Sequence, residues 1–194
     1  MARPVFRAAP VRVRVPATSA NLGPGYDSLA LALSLHDDVV AQVSDDPGVR
    51  VDVHGEGAET LRRDAKHLVA KAMLATFDHL GGRPRGLELV CANRIPHGRG
   101  LGSSAAAIVS GVVLARALVV GGEERLTDPE ALQLAATLEG HPDNVAAALL
   151  GGLTVAWTEQ PTDASAPARV GAVRHTVRAP IVPVVCIPST QVST

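Results

Sequence analysis

The chain has 194 residues, of which 18 are basic and 19 acidic, so its formal net charge at pH 7 is only −1. This balance and an aromatic content of 2% argue against a nucleic-acid partner, which requires a basic surface and side chains that stack on bases. The length suits one complete domain, or one domain and the beginning of another. No apolar stretch approaches the roughly 18 residues of a spanning helix, and the N-terminus lacks the apolar core of a signal peptide, so we expect no membrane partner.

The first third of the chain predicts three strands. Residues 11–15 alternate apolar and charged side chains as a strand does, and Pro16 then opens a turn-rich loop over residues 17–27. Strand-like stretches follow at residues 38–43 and 49–53. The turn residues between them, 45–48, predict a hairpin connection.

The middle of the chain predicts mainly helices, separated by glycine and proline signals. The predicted elements are a helix at 64–80, a strand at 87–91, a deeply buried helix at 103–120, a helix at 128–138, a helix from Pro142 to the Gly151-Gly152 pair, and a strand at 153–157.

The last part of the chain predicts a domain boundary. Residues 159–167 are polar and contain proline, which is typical of a connection, and we divide the chain into domains 1–165 and 166–194. Residues 181–187 predict an apolar strand with no following element. We therefore expect the chain to be a fragment of a longer two-domain protein.

The two cysteines, Cys91 and Cys186, each lie in an apolar, strand-like run. Buried thiols are expected there rather than a disulfide or a metal pair, and free thiols favour a cytoplasmic location. A zinc site formed by Cys91, His97 and His141 is not predicted, because no two of them have the spacing of a ligand pair.

A glycine-rich turn directly before a helix is the most informative motif. Residues 96–111 read PHGRGLGSSAAAIVSG, so three glycines lead into an apolar helix that begins near Ser103 and Ser104. Glycines allow close backbone approach to a ligand, and the free N–H groups of a helix start attract anions, so the loop predicts a phosphate site. It is not a P-loop, because no lysine follows the glycines. The alternative is an ordinary turn with a serine N-cap, although one serine would suffice for that.

A second polar cluster, EGHPDN at residues 139–144, lies at a helix junction. Glu139 and Asp143 could place two carboxylates beside a divalent cation that also binds substrate phosphates. The alternative is helix capping by Asp143, with His141 as a turn residue.

A third cluster lies in the first loop, where Asn21 and Asp27 flank Gly23-Pro24-Gly25. A rigid loop of this kind could direct an amide and a carboxylate toward the ammonium and hydroxyl groups of a polar substrate. The alternative, turn residues that bond their own backbone, is stronger for Asn21 than for Asp27.

Three segments, VRVPATSANLGPGYDSL, PHGRGLGSSAAA and EGHPDNVAAALLGGL, resemble the N-terminal landmarks of the homoserine kinase family of GHMP small-molecule kinases. The resemblance covers essentially the whole chain, with one conservative departure: Tyr26 stands where the family usually has Phe. It implies an α/β (α+β) domain similar to domain 2 of ribosomal protein S5, followed by the start of a ferredoxin-like C-terminal domain.

The resemblance implies ATP-dependent phosphorylation of the L-homoserine side-chain hydroxyl to O-phospho-L-homoserine in threonine biosynthesis, with ATP and Mg²⁺ as cofactors. The residues that would surround the ATP phosphates are Pro96, His97, Gly98, Arg99, Gly100, Leu101, Gly102, Ser103, Ser104, Ala105 and Ala106. The other implied roles are Mg²⁺ binding by Ser104 and Glu139, homoserine binding by Asn21, Asp27 and Asp143, and a catalytic place beside the transferring phosphoryl group for Asp143 and Asn144. Asp143 could act as a base or bind the substrate ammonium group, and both roles stay open.

The family's substrate-binding arginine and second glycine-rich loop lie in the C-terminal domain. We therefore expect residues 1–194 alone to have little activity. The alternatives are another kinase of the superfamily, such as a mevalonate-type enzyme, and an inactive nucleotide-binding fragment. Asn21 and Asp27 suit an amino-acid substrate and argue against the first alternative. The sequence leaves open whether the protein forms a homodimer.

Overall fold

The structure is a computed structural model, and it describes residues 3–161, 168–177 and 182–188. The strands are β1 (Val11–Ala20), β2 (Leu29–Ser44), β3 (Gly48–Gly55), β4 (Gly86–Asn93), β5 (Leu153–Glu159) and β6 (Arg169–His175). The helices are α1 (Leu68–His79), α2 (Ser103–Leu118), α3 (Gly122–Arg125), α4 (Asp128–Glu139) and α5 (Asp143–Leu150), with a 3-10 helix at Gly23–Ser28. The mixed α/β class is confirmed.

The strands form one sheet with the order β3-β4-β2-β5-β6, and β1 pairs with β2. The three strands expected before the first helix are present, but the hairpin expected at residues 45–48 is wrong. β3 pairs in parallel with β4, which lies between β2 and β3 and is antiparallel to β2. A parallel pair needs a crossover connection, and the segment that contains α1 provides it.

The loop after β1 starts later than the sequence prediction, which placed it at residues 17–27. β1 continues to Ala20, because Thr18, Ser19 and Ala20 pair with Ala32, Leu31 and Ala30 of β2. The pairing register shifts between Pro16 and Thr18, which marks a β-bulge. The sequence predicts an end at Pro16, because proline and the turn residues after it interrupt the alternating pattern.

Helix α2 lies at the centre of the hydrophobic core, as its nearly uniform apolar sequence predicted. It packs against α1, β1 and α4. Gly111 lets α2 approach α1 closely, because a Cβ at that position would lie 2.6 Å from the Cβ of Ala72. This packing fixes the N-terminal end of α2, where the glycine-rich loop enters the helix.

Three features at the end of the chain differ from the expectations. β6 was not predicted, and it pairs with β5 along its whole length, so the sheet reaches at least His175. Residues 182–188 form no strand and pair with none of the described strands; Ile181 lies outside the described residues. Cys91 is buried as expected, but Cys186 is exposed. Residues 162–167, which span the expected boundary, lie outside the described residues, and the two-domain division stays a prediction.

None of the described helices is long and apolar enough to cross a membrane.

Candidate functional site

The glycine-rich loop takes the left-handed conformation at each of its three glycines. Gly98, Gly100 and Gly102 have φ values of 65°, 71° and 65°. Gly102 is the N-cap residue of α2, and no side chain caps the helix. Neither Ser103 nor Ser104 is therefore the N-cap residue. Ala106 N–H donates to Gly102 O at 2.9 Å, so the N–H groups of residues 103–105 precede the first intrahelical bond and remain available to an anion.

The end of the loop packs against β1 and α5. Thr18 N–H donates to Leu101 O at 3.0 Å, and the Thr18 hydroxyl donates to Asn144 Oδ1 at 2.7 Å. A Cβ on Gly102 would lie only 1.9 Å from Thr18 Oγ1. Only glycine can therefore occupy this position without displacing its neighbours.

The two residues expected to bind Mg²⁺ are in direct contact. Ser104 Oγ donates to Glu139 Oε1 at 2.5 Å, so the first turn of α2 meets the last residue of α4. The Glu139 side chain is only 8% exposed. A hydroxyl and a nearly buried carboxylate at a helix N-terminus offer two oxygen ligands of the type that Mg²⁺ prefers.

His141 lies between the two acidic residues of the EGHPDN cluster. Its Nδ1 is 2.6 Å from Asp143 Oδ1, and its Nε2 is 3.9 Å from Glu139 Oε1. Asp143 is 1% exposed, and its Oδ1 also accepts from Asn144 N–H at 2.7 Å. The capping alternative therefore applies in part to Asp143. It does not apply to Glu139, whose side chain contacts Ser104 and His141 within the described part of the chain.

These contacts form a continuous chain that brings together the residues of two predicted clusters. In order, the chain is Gly102, Thr18, Asn144, Asp143, His141, Glu139 and Ser104, and it returns to the glycine-rich loop. The EGHPDN cluster thus meets the N-terminal end of α2 through Glu139 and Asn144.

Asn21 and Asp27, which form the third cluster, take no part in this chain of contacts. Asn21 directly follows β1 with a φ of 56°, and Asp27 lies in the 3-10 helix. Both are exposed, and within the described residues neither side chain makes a hydrogen bond or an ion pair. The turn alternative, in which they bond their own backbone, has no support in these contacts.

A cavity of about 280 Å³ opens beside the start of α2. Ser103, Ser104 and His97 line it together with residues 61, 62 and 66–69, which precede and begin α1. His67 is 5% exposed, and neither ring nitrogen has a hydrogen-bond partner among the described residues. Burial, helped by the nearby His97, lowers the pKa of His67, so its ring is neutral at pH 7.

Asp37 binds the backbone segment that leads into the glycine-rich loop. Its Oδ1 accepts from the N–H groups of Arg94 and Ile95 at 2.6 and 2.9 Å. Burial raises the pKa of Asp37, and the two backbone donors partly oppose this shift. Sequence reasoning assigned no role to Thr18, Asp37 or His67, because the surroundings of each depend on residues distant in sequence.

Residues 67–152 match the family described as GHMP kinases N terminal domain. The homoserine kinase of Streptomyces coelicolor is 61% identical over 194 residues, which are 100% of this chain and 60% of that protein. The homoserine kinase of Streptomyces avermitilis is 59% identical over the same length, which is 61% of that protein.

Solved structures agree with these similarities. A homoserine kinase from Cytophaga hutchinsonii has a TM-score of 0.67 and 32% identity, covering 88% of this chain and 53% of that one. A mevalonate kinase from Methanococcus jannaschii has a TM-score of 0.60 at 16% identity, over 76% of this chain and 53% of that one, and shows the shared fold alone.

Residues 67–152 therefore match a GHMP kinase N-terminal domain. The whole chain is similar to homoserine kinases, and it corresponds to their N-terminal part. It spans about 60% of the length of the two Streptomyces relatives.

Proposed function

We propose that this chain forms the nucleotide- and metal-binding part of a kinase that transfers the γ-phosphoryl group of ATP to the side-chain hydroxyl of L-homoserine. The observation that carries the proposal is the chain of contacts from Gly102 through Asn144, Asp143 and Glu139 to Ser104, at the uncapped N-terminus of α2. Phosphoryl transfer needs positioning and charge neutralisation more than covalent chemistry, and this arrangement supplies both.

The nucleotide would bind across the start of α2. Its phosphates would meet the N–H groups of residues 103–105, where the helix dipole and the missing cap favour negative charge. Its base would enter the cavity beside them, which is only slightly smaller than the roughly 300 Å³ lower end of small-molecule pockets. Ser104 lines the cavity and also contacts Glu139, so one residue joins the two parts of the site.

Mg²⁺ fits Ser104 and Glu139 by the chemistry of their oxygens. The described residues contain no cluster of three His, Cys, Asp or Glu side chains that could hold a metal ion, so a cation here would need further ligands from phosphate oxygens and water. Mg²⁺ is commonly bound in this manner. When bound, it would neutralise charge on the β- and γ-phosphates.

Homoserine would bind on the side of Asp143. The Oδ1 atom of Asp143 is already engaged by His141 and Asn144, which leaves Oδ2 for the substrate. Asn21 and Asp27 have no competing partners among the described residues and would receive the polar groups of the amino acid. Asp143 would contact either the ammonium group or the hydroxyl that attacks the γ-phosphoryl group.

The direct test incubates the full-length protein that contains this chain with ATP, Mg²⁺ and homoserine, and follows ADP and O-phosphohomoserine together. Equal amounts of the two products are expected. Mevalonate in place of homoserine serves as the matched control acceptor, and no turnover is expected with it. Turnover of mevalonate without turnover of homoserine would favour a mevalonate-type kinase. Nucleotide binding with neither product would favour a non-catalytic protein.

A further inference from the structure

Thr18 is a polar residue that the fold buries completely. Its relative exposure is 0%, although it lies only three residues before the exposed Asn21. Val15 and Ala17 are buried too, so simple strand alternation would turn Thr18 to the opposite face of β1. The pairing register with β2 shifts between Pro16 and Thr18, with the extra residues on β2, and the Thr18 side chain is buried nonetheless.

The inward hydroxyl has one specific partner. Thr18 Oγ1 donates to Asn144 Oδ1 at 2.7 Å, across 126 positions of sequence. The Thr18 backbone N–H is bonded to Leu101 O, and Gly102 lies against the same hydroxyl. One residue therefore joins β1, the last turn of the glycine-rich loop and the start of α5.

This contact fixes which end of the Asn144 amide faces the ligand site. Because Oδ1 accepts from Thr18, the Nδ2 group is directed away from Thr18, and within the described residues it makes no hydrogen bond. An amide N–H₂ group held in this way can donate to a phosphoryl oxygen on which negative charge develops. Rotation of the amide would instead present an oxygen, which repels that charge.

We propose that Thr18 is a positioning residue for phosphoryl transfer: its hydroxyl orients the Asn144 side chain so that the amide N–H₂ group faces the γ-phosphoryl group. The inference rests on the proposed kinase function. The role acts through Asn144, so it requires that removal of the Thr18 hydroxyl has no effect once the Asn144 amide is gone.

The test is a double-mutant cycle in the full-length protein. Thr18→Val removes the hydroxyl and keeps the β-branched shape, whereas Thr18→Ser keeps the hydroxyl. We expect Thr18→Val to lower kcat about three- to tenfold, the range that one neutral hydrogen bond supports, with the KM for ATP and homoserine within about twofold of wild type. Thr18→Ser should keep most of the wild-type kcat. In an Asn144→Ala background, Thr18→Val should cause no further loss.

An equal loss of kcat in both backgrounds, or an unchanged kcat in Thr18→Val, would overturn the positioning role. Thr18→Ala replaces Thr18→Val if the latter does not fold. A second measurement does not depend on turnover: the side-chain amide NMR signal of Asn144, assigned by its loss in Asn144→Asp. It should shift in Thr18→Val and stay in place in Thr18→Ser. An unmoved signal in Thr18→Val overturns the inference, whereas failure of the wild type to phosphorylate homoserine overturns only the proposed function.

Discussion

Gly102→Ala offers a sharp test of how the glycine-rich loop is built, because Gly100→Ala is a matched control. Both glycines have a positive φ, 71° at Gly100 and 65° at Gly102, so alanine at either position adds a left-handed penalty of about 1–2 kcal/mol. A Cβ at Gly100 would meet no atom within 4 Å. A Cβ at Gly102 would lie 1.9 Å from Thr18 Oγ1 and 3.0 Å from Asn144 Oδ1.

The clash therefore adds a cost that only Gly102→Ala carries. Displacing the buried Thr18 is an overpacking effect, which costs about 1–3 kcal/mol. For a folded unit of this size, that cost lowers the melting temperature of Gly102→Ala by about 2–12 °C relative to Gly100→Ala. Thermal and urea denaturation, followed by far-UV circular dichroism, measure the difference. Equal stability of the two variants would refute the packing of Gly102 on Thr18 and Asn144.

Three further outcomes are expected. Ser104→Ala and Glu139→Gln should each lower Mg²⁺-dependent turnover by about tenfold or more, since a charge-assisted contact contributes about 1.5–3 kcal/mol; an unchanged Mg²⁺ dependence in both would contradict the metal assignment. Asp27→Asn should mainly raise the KM for homoserine, and a loss of kcat at the wild-type KM would assign Asp27 to the chemistry instead. Because burial lowers the pKa of His67, the stability that its neutral ring supports is present above a pH of about 6.5 and is lost as the pH falls through the folded-state pKa. When the pH is lowered from about 7.5 to about 5.5, the melting temperature of His67→Gln should therefore fall less than that of the wild type. Equal falls would exclude a link between His67 protonation and stability.

Local sequence patterns predicted helices α1 and α4. The apolar spacing of residues 64–80 predicted α1, although the helix begins only at Leu68, because His67 has an extended backbone. The helix predicted at residues 128–138 is α4, and its N-cap residue is Thr127, which forms a capping box with Glu130. These patterns depend on neighbours within a few residues, and the sequence displays them directly.

Features that depend on distant contacts were not predictable. The place of β4 between β2 and β3 results from strand pairing between remote segments, so the hairpin expected at residues 45–48 was a local interpretation of a non-local arrangement. The continuation of β1 from Pro16 to Ala20 likewise depends on its pairing with β2. The contact of Thr18 with Asn144 joins residues that no local pattern links.

The candidate site also has parts that the local sequence predicted and a part that it did not. The glycine-rich loop and the EGHPDN cluster were recognised from composition and spacing, and the structure brings them together through the contact of Ser104 with Glu139. The cavity beside His67 was not recognised. Its lining residues come from four separate segments of chain, and no single segment carries a signal for it.

The most direct test of the central claim is a crystal structure of the full-length protein with Mg²⁺, a non-hydrolysable ATP analogue and homoserine. The account predicts the triphosphate against the N–H groups of residues 103–105, with Mg²⁺ between the phosphates and the oxygens of Ser104 and Glu139. It also predicts the γ-phosphate within hydrogen-bond distance of the Asn144 amide. A nucleotide bound elsewhere, with the N-terminus of α2 open to water, would contradict it.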